Sequence, residues 1–417
     1  MASGKSTDLT KKILIGMGLG VILGSLFNYI GPTGWFKTFF LDGVIEIGGR
    51  IFLSSLKVLV VPMVFVSLVS GAGSLQDVKK LGRMGGKVFV FYIATTALAI
   101  SLALLVAMIV QPGSGFEMTG TVAYESKDSP PLVDVIANMF PSNPIQAMAN
   151  GEMLQIIVFA LLFGIGITLA GDSGKRVLAV FNDLNEIIMK MVMMLIELAP
   201  IGVFCLLTKV FTDQGFGAIL PMAKYFFVVL FVLFLHLFVV YGTLLKTFAG
   251  LSPVTFFKKF GETLIFAFST ASSNATIPVN MEVVEKKLGV HNSIASFTIP
   301  FGATINMDGT AIMQGVASVF VAQVYGIELG IGGYLTIILT ATLASIGTAG
   351  VPGVGLVMLA MVFKQVGLPV EGIGLIVGVD RLLDMVRTGV NVTGDAVASC
   401  IVGKSEGQMD ETIFNQV

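Results

Sequence analysis

Runs of about 20 apolar residues, long enough to cross the hydrocarbon of a bilayer as a helix, recur along this chain at 13–30, 45–72, 88–110, 132–169, 177–211 and 225–249. In lipid, each backbone N–H and C=O must be satisfied within the protein, and runs of this length achieve it as helices. The 417 residues are 55% hydrophobic and 12% charged, against roughly 25% charged in an ordinary soluble domain. Mean hydropathy is +0.91. The fold class is therefore an all-α polytopic membrane protein. A net charge of −1 offers no basis for a nucleic-acid partner.

Several runs exceed what a bilayer needs, which implies tilt, breaks or extension beyond the membrane. The fourth is interrupted by Pro141-Ser142-Asn143-Pro144 and by Asn150-Gly151, so it reads as short helical pieces; Pro200 predicts a kink in the fifth. Lys11, Lys12, Lys79, Lys80, Arg83, Lys175, Arg176, Lys246, Lys258 and Lys259 cluster at alternate loops, which marks those loops and both termini as cytoplasmic, with loop 117–128 on the other side. The first run is long for a signal peptide and reads as a retained anchor. Gly4-Lys5-Ser6-Thr7 resembles the end of a phosphate loop but lacks the upstream glycine and strand; a disordered tail is expected there. Cys205 and Cys400 have no metal-ligand spacing and read as packing residues.

Beyond residue 249 the hydropathy is no longer simple. Two apolar segments carry small polar residues at their centres, FSTASSNATIP at 268–278 and LASIGTAGVPG at 343–353. A continuous helix through either is poor, and irregular backbone survives at membrane depth only when buried in protein or facing a wet cavity. Each reads as a re-entrant hairpin. After the first comes GATINMDGT at 302–310, and after the second NVTGD at 391–395, a weak internal repeat. Broken hydrophobic segments at matching places in two halves point to a transporter's binding site.

The stretch DRLLDMVRTGVNVTGD at 380–395 sets five charged residues in an apolar run. At about 100° per residue, Asp380, Asp384, Arg387, Thr388, Asn391 and Asp395 share roughly one third of a helix circumference. Such charges normally face a bundle interior or a substrate path. The plainer alternative is a packing stripe in which Asp384 and Arg387 neutralise each other at i, i+3; apolar residues would pack without that desolvation cost. Arg387 offers a planar fork for a carboxylate. Asp384 can accept from an ammonium group, Asn391 adds an amide, and helix starts near Ser273 and Gly353 add backbone N–H groups. An acidic amino acid fits these demands. An oxygen-rich set without positive charge, namely Asp308, Asn306, Asp395, Asn391, Thr304, Ser345, Thr348, Thr95 and Thr96, suits sodium. Asp308 and Asp395 also suit proton carriage or helix capping. A substrate of charge −1 moving with one Na⁺ gains nothing from the membrane potential, whereas each further Na⁺ adds about 2.3 kcal/mol per 100 mV. Asp380 with Arg381 reads as a supporting pair at the end of the stripe.

SSNATIP at 272–278, NMDGT at 306–310, ASIGTAGVPG at 344–353 and the 380–395 stretch resemble the dicarboxylate/amino acid:cation symporters, prokaryotic relatives of the excitatory amino-acid transporters. The resemblance covers nearly the whole chain. It implies eight spans and two re-entrant hairpins with inverted repeats, in a homotrimer of the inner membrane. It implies scaffold at 1–83 (spans 1 and 2) and 113–218 (spans 4 and 5). Transport-domain span 3 would lie at 84–112, with span 6, hairpin 1 (about 253–285), span 7, hairpin 2 (about 329–366) and span 8 in 219–417. The transport domain would move as an elevator, with the second hairpin as its gate. By motif, Arg387 takes the side-chain carboxylate, Asp384 the ammonium, and Asn391 with the Ser273 tip the α-carboxylate; Thr310, Val351, Gly355 and Thr388 complete the pocket. The implied sodium positions are Gly302, Asn306, Asn391 and Asp395; Thr304, Ser345, Ile346 and Thr348; and Tyr92, Thr95, Thr96, Asn306 and Asp308.

Departures matter too. A second arginine found in many relatives is replaced by Ala271 and Met385 at its two usual places, and Gln314 stands where potassium-coupled relatives have an acid. Asp395 is retained where proton-coupled bacterial relatives resemble Asn, which favours sodium, and the acid at 384 favours glutamate and aspartate over succinate. A proton-coupled or C4-dicarboxylate symporter of the same fold is the alternative. A membrane-embedded enzyme would need His236 or His291 as base, but His236 sits alone in an apolar run and reads as packing, and His291 lies in a charged loop. An anion channel could use Arg387, yet two hairpins argue for occlusion.

Overall fold

The computed structural model describes residues 2–73, 78–115, 137, 140–215, 219–346, 348 and 350–416. The expected external loop at 117–128, with its acids, lies outside the described residues, as does the start of the fourth run. Helix α1 (Ala2–Ile30) already includes Gly4 to Thr7, so the expected disordered tail is instead the first turns of a helix. A short helix at Gly34–Phe36 and a π stretch at Lys37–Ile45 lead into α2 (Glu46–Gly73), and α3 spans Val78–Val110.

The fourth run breaks where its sequence says it should. Asn143 caps α4 (Pro144–Asn150) by accepting from the N–H groups of Ile145 and Gln146, and Gly151, at φ 66°, ends it in the left-handed region that favours glycine. Helix α5 (Met153–Leu169) follows. In the fifth run the expected kink is a full break: α6 (Gly171–Ile196) and α7 (Ala199–Gln214) are set at 47° to each other. Pro200 sits in the first turn of α7, where its missing N–H costs nothing. The sixth run is one helical rod beginning with α8 (Ile219–Phe234), continued by a π stretch at Leu235–Val240, a turn at Tyr241–Leu244 and a second π stretch at Leu245–Ala249.

The remaining helices are broken in pairs. Helices α9 (Pro253–Thr270) and α10 (Ser273–Lys286) form one hairpin, and α13 (Gly330–Ser345) and α14 (Val354–Gln365) the other. Helix α11 (Asn292–Ile305) runs into α12 (Asp308–Val324) across a non-helical Asn306-Met307 step, and α15 (Ile373–Ser405) carries the polar stripe unbroken. Pro278 and Pro300 are both accommodated inside helices, so the hairpin break falls at Ala271 and Ser272 rather than at the proline. His291 caps α11 through its Nδ1, which accepts from the Ser293 N–H, and this accounts for it without catalysis.

Among the described residues, Lys11–Ile30, Gly34–Ser70, Met84–Val110 and Leu220–Ala249 are long and apolar enough to cross a membrane, and the bent α6–α7 pair passes the same test when its two helices are taken together. Leu19, Ile22, Phe227, Phe231 and Ile265 are exposed on the outer faces, as side chains meeting lipid must be. Helix α1 packs on α7, and α2 on α5, α6 and α7. A second group, in which α15 touches α8, α9, α11 and α12 while α3 lies along α12, encloses the polar stripe. The product is a buried α15 with helix breaks on two sides of it.

Candidate functional site

Two helix N-termini meet beside α15. Ser272 caps α10 by accepting from the Ala275 N–H, and its hydroxyl donates to the Gly350 carbonyl of the other hairpin at 2.7 Å. The Asn274 N–H donates to the same carbonyl at 3.1 Å. Gly350 permits this approach, because a Cβ there would lie 2.8 Å from that of Ser273. On the second hairpin, Gly353 at φ 82° opens α14 and donates its N–H to Asp384 Oδ2 at 3.0 Å. Helix N-termini carry unsatisfied N–H groups and partial positive charge, so their convergence favours an anion.

Between these tips and α15 lies a cavity of about 20 Å³, to whose lining Ser273, Thr310, Val351, Gly355, Asp384, Thr388 and Asn391 contribute. Arg387 abuts it: Nη1 and Nη2 both lie 3.2 Å from where a Cβ on Gly355 would stand. The volume suits one water. Asn391 is held from two sides. Its Oδ1 accepts from the Gly309 N–H at 2.8 Å, and its Nδ2 donates to the Met307 sulfur at 3.3 Å, a weak acceptor. The Thr388 hydroxyl donates to the Asp384 carbonyl at 2.8 Å.

Arg387 is fully buried. Its Nη2 donates to Asp384 Oδ1 at 2.8 Å, and its Nη1 lies 3.0 Å from Asp380 Oδ1. Arg381 Nη1 stands 3.6 Å from Asp384 Oδ2. Asp380 and Arg387, seven residues apart, share a face of α15, and Arg381 adds its charge beside both acids. Among the described residues, Arg387 Nε and Nη1 meet no acceptor in hydrogen-bond geometry. A buried guanidinium with donors unspent is costly unless something completes it.

On the far side of Asn391 the polarity reverses. Helices α11 and α13 end side by side, with the Ser345 hydroxyl donating to the Ile305 carbonyl at 2.6 Å. Thr304 donates to the Pro300 carbonyl at 3.2 Å and Thr348 to the Ala344 carbonyl at 2.5 Å, and Ile346 caps α13 with extended backbone. Two helix C-termini, whose last carbonyls lack intrahelical donors, favour a cation. Beside them, Asn306 Nδ2 donates to both Asp395 Oδ1 and the Asn391 carbonyl at 2.9 Å, while the buried Asn306 Oδ1 has no hydrogen-bond partner among the described residues. Thr96 donates to Asp308 Oδ1 at 2.5 Å. The Tyr92 hydroxyl donates to the Thr298 carbonyl at 2.9 Å. Thr95 instead turns its hydroxyl to the Tyr92 carbonyl of its own helix at 3.2 Å.

Asp395 and Tyr92 both press on Gly302, where a Cβ would lie 2.2 Å from Asp395 Oδ1 and 2.6 Å from the Tyr92 hydroxyl. Gly302→Ala is therefore expected to displace both oxygens and lower uptake at least tenfold while the protein still inserts, as transport assays on reconstituted protein would read. His236, set aside in the sequence, and Tyr241, not singled out there, join this cluster. His236 Nε2 lies 3.1 Å from Asp308 Oδ2, and the Tyr241 hydroxyl donates to the same oxygen at 2.7 Å. Their separation of five does not match an α-helical face, which hid them.

Comparison with known proteins gives this geometry a lineage. The model of the sodium:dicarboxylate symporter family matches residues 9–405. The chain is 37% identical to the proton/sodium-glutamate symport protein of Bacillus caldotenax, over 98% of this chain and 96% of that one. It is 36% identical to the proton/glutamate-aspartate symporter of Escherichia coli (strain K12), over 97% and 94%. With the C4-dicarboxylate transport protein of Bacillus subtilis (strain 168) it shares 32% identity, over 97% and 95%. A buried arginine beside paired helix N-termini, oxygen ligands beside paired C-termini, and full-length likeness to symporters agree: the chain belongs to the sodium:dicarboxylate symporter family and is a membrane transporter, not an enzyme.

Proposed function

We propose that the protein imports an acidic amino acid, glutamate or aspartate, together with several sodium ions across the inner membrane. The observation that carries this reading is the position of Asn391. Its side chain lines the anion-favouring cavity, while its carbonyl accepts from Asn306, which also holds Asp395. Cation and substrate sites that share a residue can stabilise each other, which is what coupled transport requires.

Arg387 takes the substrate's side-chain carboxylate, Asp384 exchanges the Gly353 N–H for the ammonium, and Asn391 with the Ser273 helix start takes the α-carboxylate. Thr310, Val351, Gly355 and Thr388 shape the pocket. Sodium occupies positions built from Gly302, Asn306, Asn391 and Asp395, from Thr304, Ser345, Ile346 and Thr348, and from Tyr92, Thr95, Thr96, Asn306 and Asp308. Asp380 and Asp384 balance Arg381 and Arg387, whereas Asp308 and Asp395 have no arginine or lysine among their ion pairs, which supports more than one cation.

The hairpins are re-entrant, the second acting as gate. Residues 84–112 and 219–417 move as an elevator against a scaffold of 1–83 and 113–218, in a homotrimer with both termini cytoplasmic. The test is substrate choice. Wild type takes up labelled aspartate or glutamate and is poorly inhibited by succinate; Asp384→Asn loses at least tenfold in affinity for amino acids but not for succinate. Equal inhibition of wild type by succinate and aspartate would favour the C4-dicarboxylate reading.

A further inference from the structure

His236 and Tyr241 have no part in the ligand set above, yet both end on one oxygen. In an α-helix five residues advance about 500°, which leaves positions i and i+5 roughly 140° apart. The segment Leu235–Val240 is wound as a π-helix, with i→i+5 hydrogen bonds. That winding sets His236 and Tyr241 on one face, their rings 4.5 Å apart and edge-on at 72°. His236 Nε2 at 3.1 Å and the Tyr241 hydroxyl at 2.7 Å then reach Asp308 Oδ2, with all three residues fully buried. The Thr96 hydroxyl holds Oδ1. Gly394 lets α15 close over the group, since a Cβ there would lie 2.3 Å from the Tyr241 oxygen and 2.4 Å from Asn306 Nδ2.

π-Windings inside α-helices are frequent at functional sites. A buried carboxylate tied by donors from two separate helices is also an expensive way to fill a core. Fixing both oxygens preorganises the carboxylate, and outer partners of this kind typically set metal affinity 10–100-fold. We propose that His236 and Tyr241 are positioning residues that orient Asp308 and thereby set the sodium affinity of its site, without touching the amino-acid substrate. This rests on the reading of Asp308 as a sodium ligand.

The test uses the full chain in liposomes, with uptake of labelled L-aspartate and L-glutamate titrated against sodium. Tyr241→Phe and His236→Leu are expected to raise the half-saturating sodium concentration about tenfold. At saturating sodium, substrate KM and maximal rate stay within twofold of wild type. His236→Gln, whose amide N–H can replace the imidazole donor, restores the wild-type sodium curve. Should His236→Leu fail to fold, Tyr241→Phe, which removes one oxygen, carries the test. Unmoved sodium curves in Tyr241→Phe, or a loss confined to substrate KM at saturating sodium, would overturn the inference. Wild-type uptake indifferent to sodium would sink the sodium reading itself, and the inference with it; a sodium-dependent wild type with unmoved variants sinks the inference alone.

Discussion

Arg387→Cys is expected to abolish uptake of acidic amino acids, a loss of at least a hundredfold, and to admit neutral ones. The guanidinium is fully buried, its Nε meets no acceptor among the described residues, and it is the ion-pair partner of both Asp380 at 3.0 Å and Asp384 at 2.8 Å. Truncating one partner of a buried, hydrogen-bonded charge pair at a binding site costs about 2–5 kcal/mol, and each 1.4 kcal/mol is about tenfold in affinity. A thiol also leaves space and an uncompensated acid beside the cavity, which suits an ammonium group without a second carboxylate. Arg387→Lys keeps the charge but not the planar fork, and should recover little acidic-substrate uptake. Competition of labelled aspartate by a panel of acidic and neutral amino acids reads all three proteins. Unchanged aspartate affinity in the cysteine variant would remove Arg387 from the substrate site.

Asp395→Asn should raise the sodium needed for half-maximal uptake at least tenfold and flatten the sodium dependence. Asp395 accepts from Asn306 Nδ2 at 2.9 Å. An asparagine can keep that bond only by giving Asn306 its carbonyl oxygen, which turns its NH₂ towards the oxygen cluster. The substitution thus removes a negative charge and adds a donor where ligands to a cation are needed. Substrate affinity at saturating sodium is expected to change less, because Asn306 still engages the Asn391 carbonyl. Sodium titrations of uptake, with the Hill coefficient as second readout, distinguish this from a general loss.

Much of the site was legible because its signals are local. Period-3.6 spacing put Asp384, Arg387, Thr388 and Asn391 on one face of α15, and they do line or abut one cavity. Clustered Ser, Thr and Gly located both hairpin breaks. What escaped depends on contacts distant in sequence or on departures from α geometry. The Ser272–Gly350 latch joins residues 78 apart, and no local propensity encodes it. His236 looked like packing because an α-helical projection separates it from Tyr241, and only the π-winding unites them. The Asp380–Arg387 pair was obscured by Arg381, which stands next to Asp380 in the sequence. The break before Pro200 was misplaced by two or three residues, since proline sits comfortably in a helix's first turn.

The central claim is that inward movement of an acidic amino acid is driven by several sodium ions. Purified protein in liposomes, loaded with potassium and clamped by valinomycin, allows sodium, proton and voltage gradients to be imposed one at a time. The account predicts uptake of labelled aspartate or glutamate only with sodium outside, rising steeply with sodium, and increased by an inside-negative potential because more positive charge enters than the substrate carries. Uptake that persists undiminished without sodium and follows an inward proton gradient instead would contradict it.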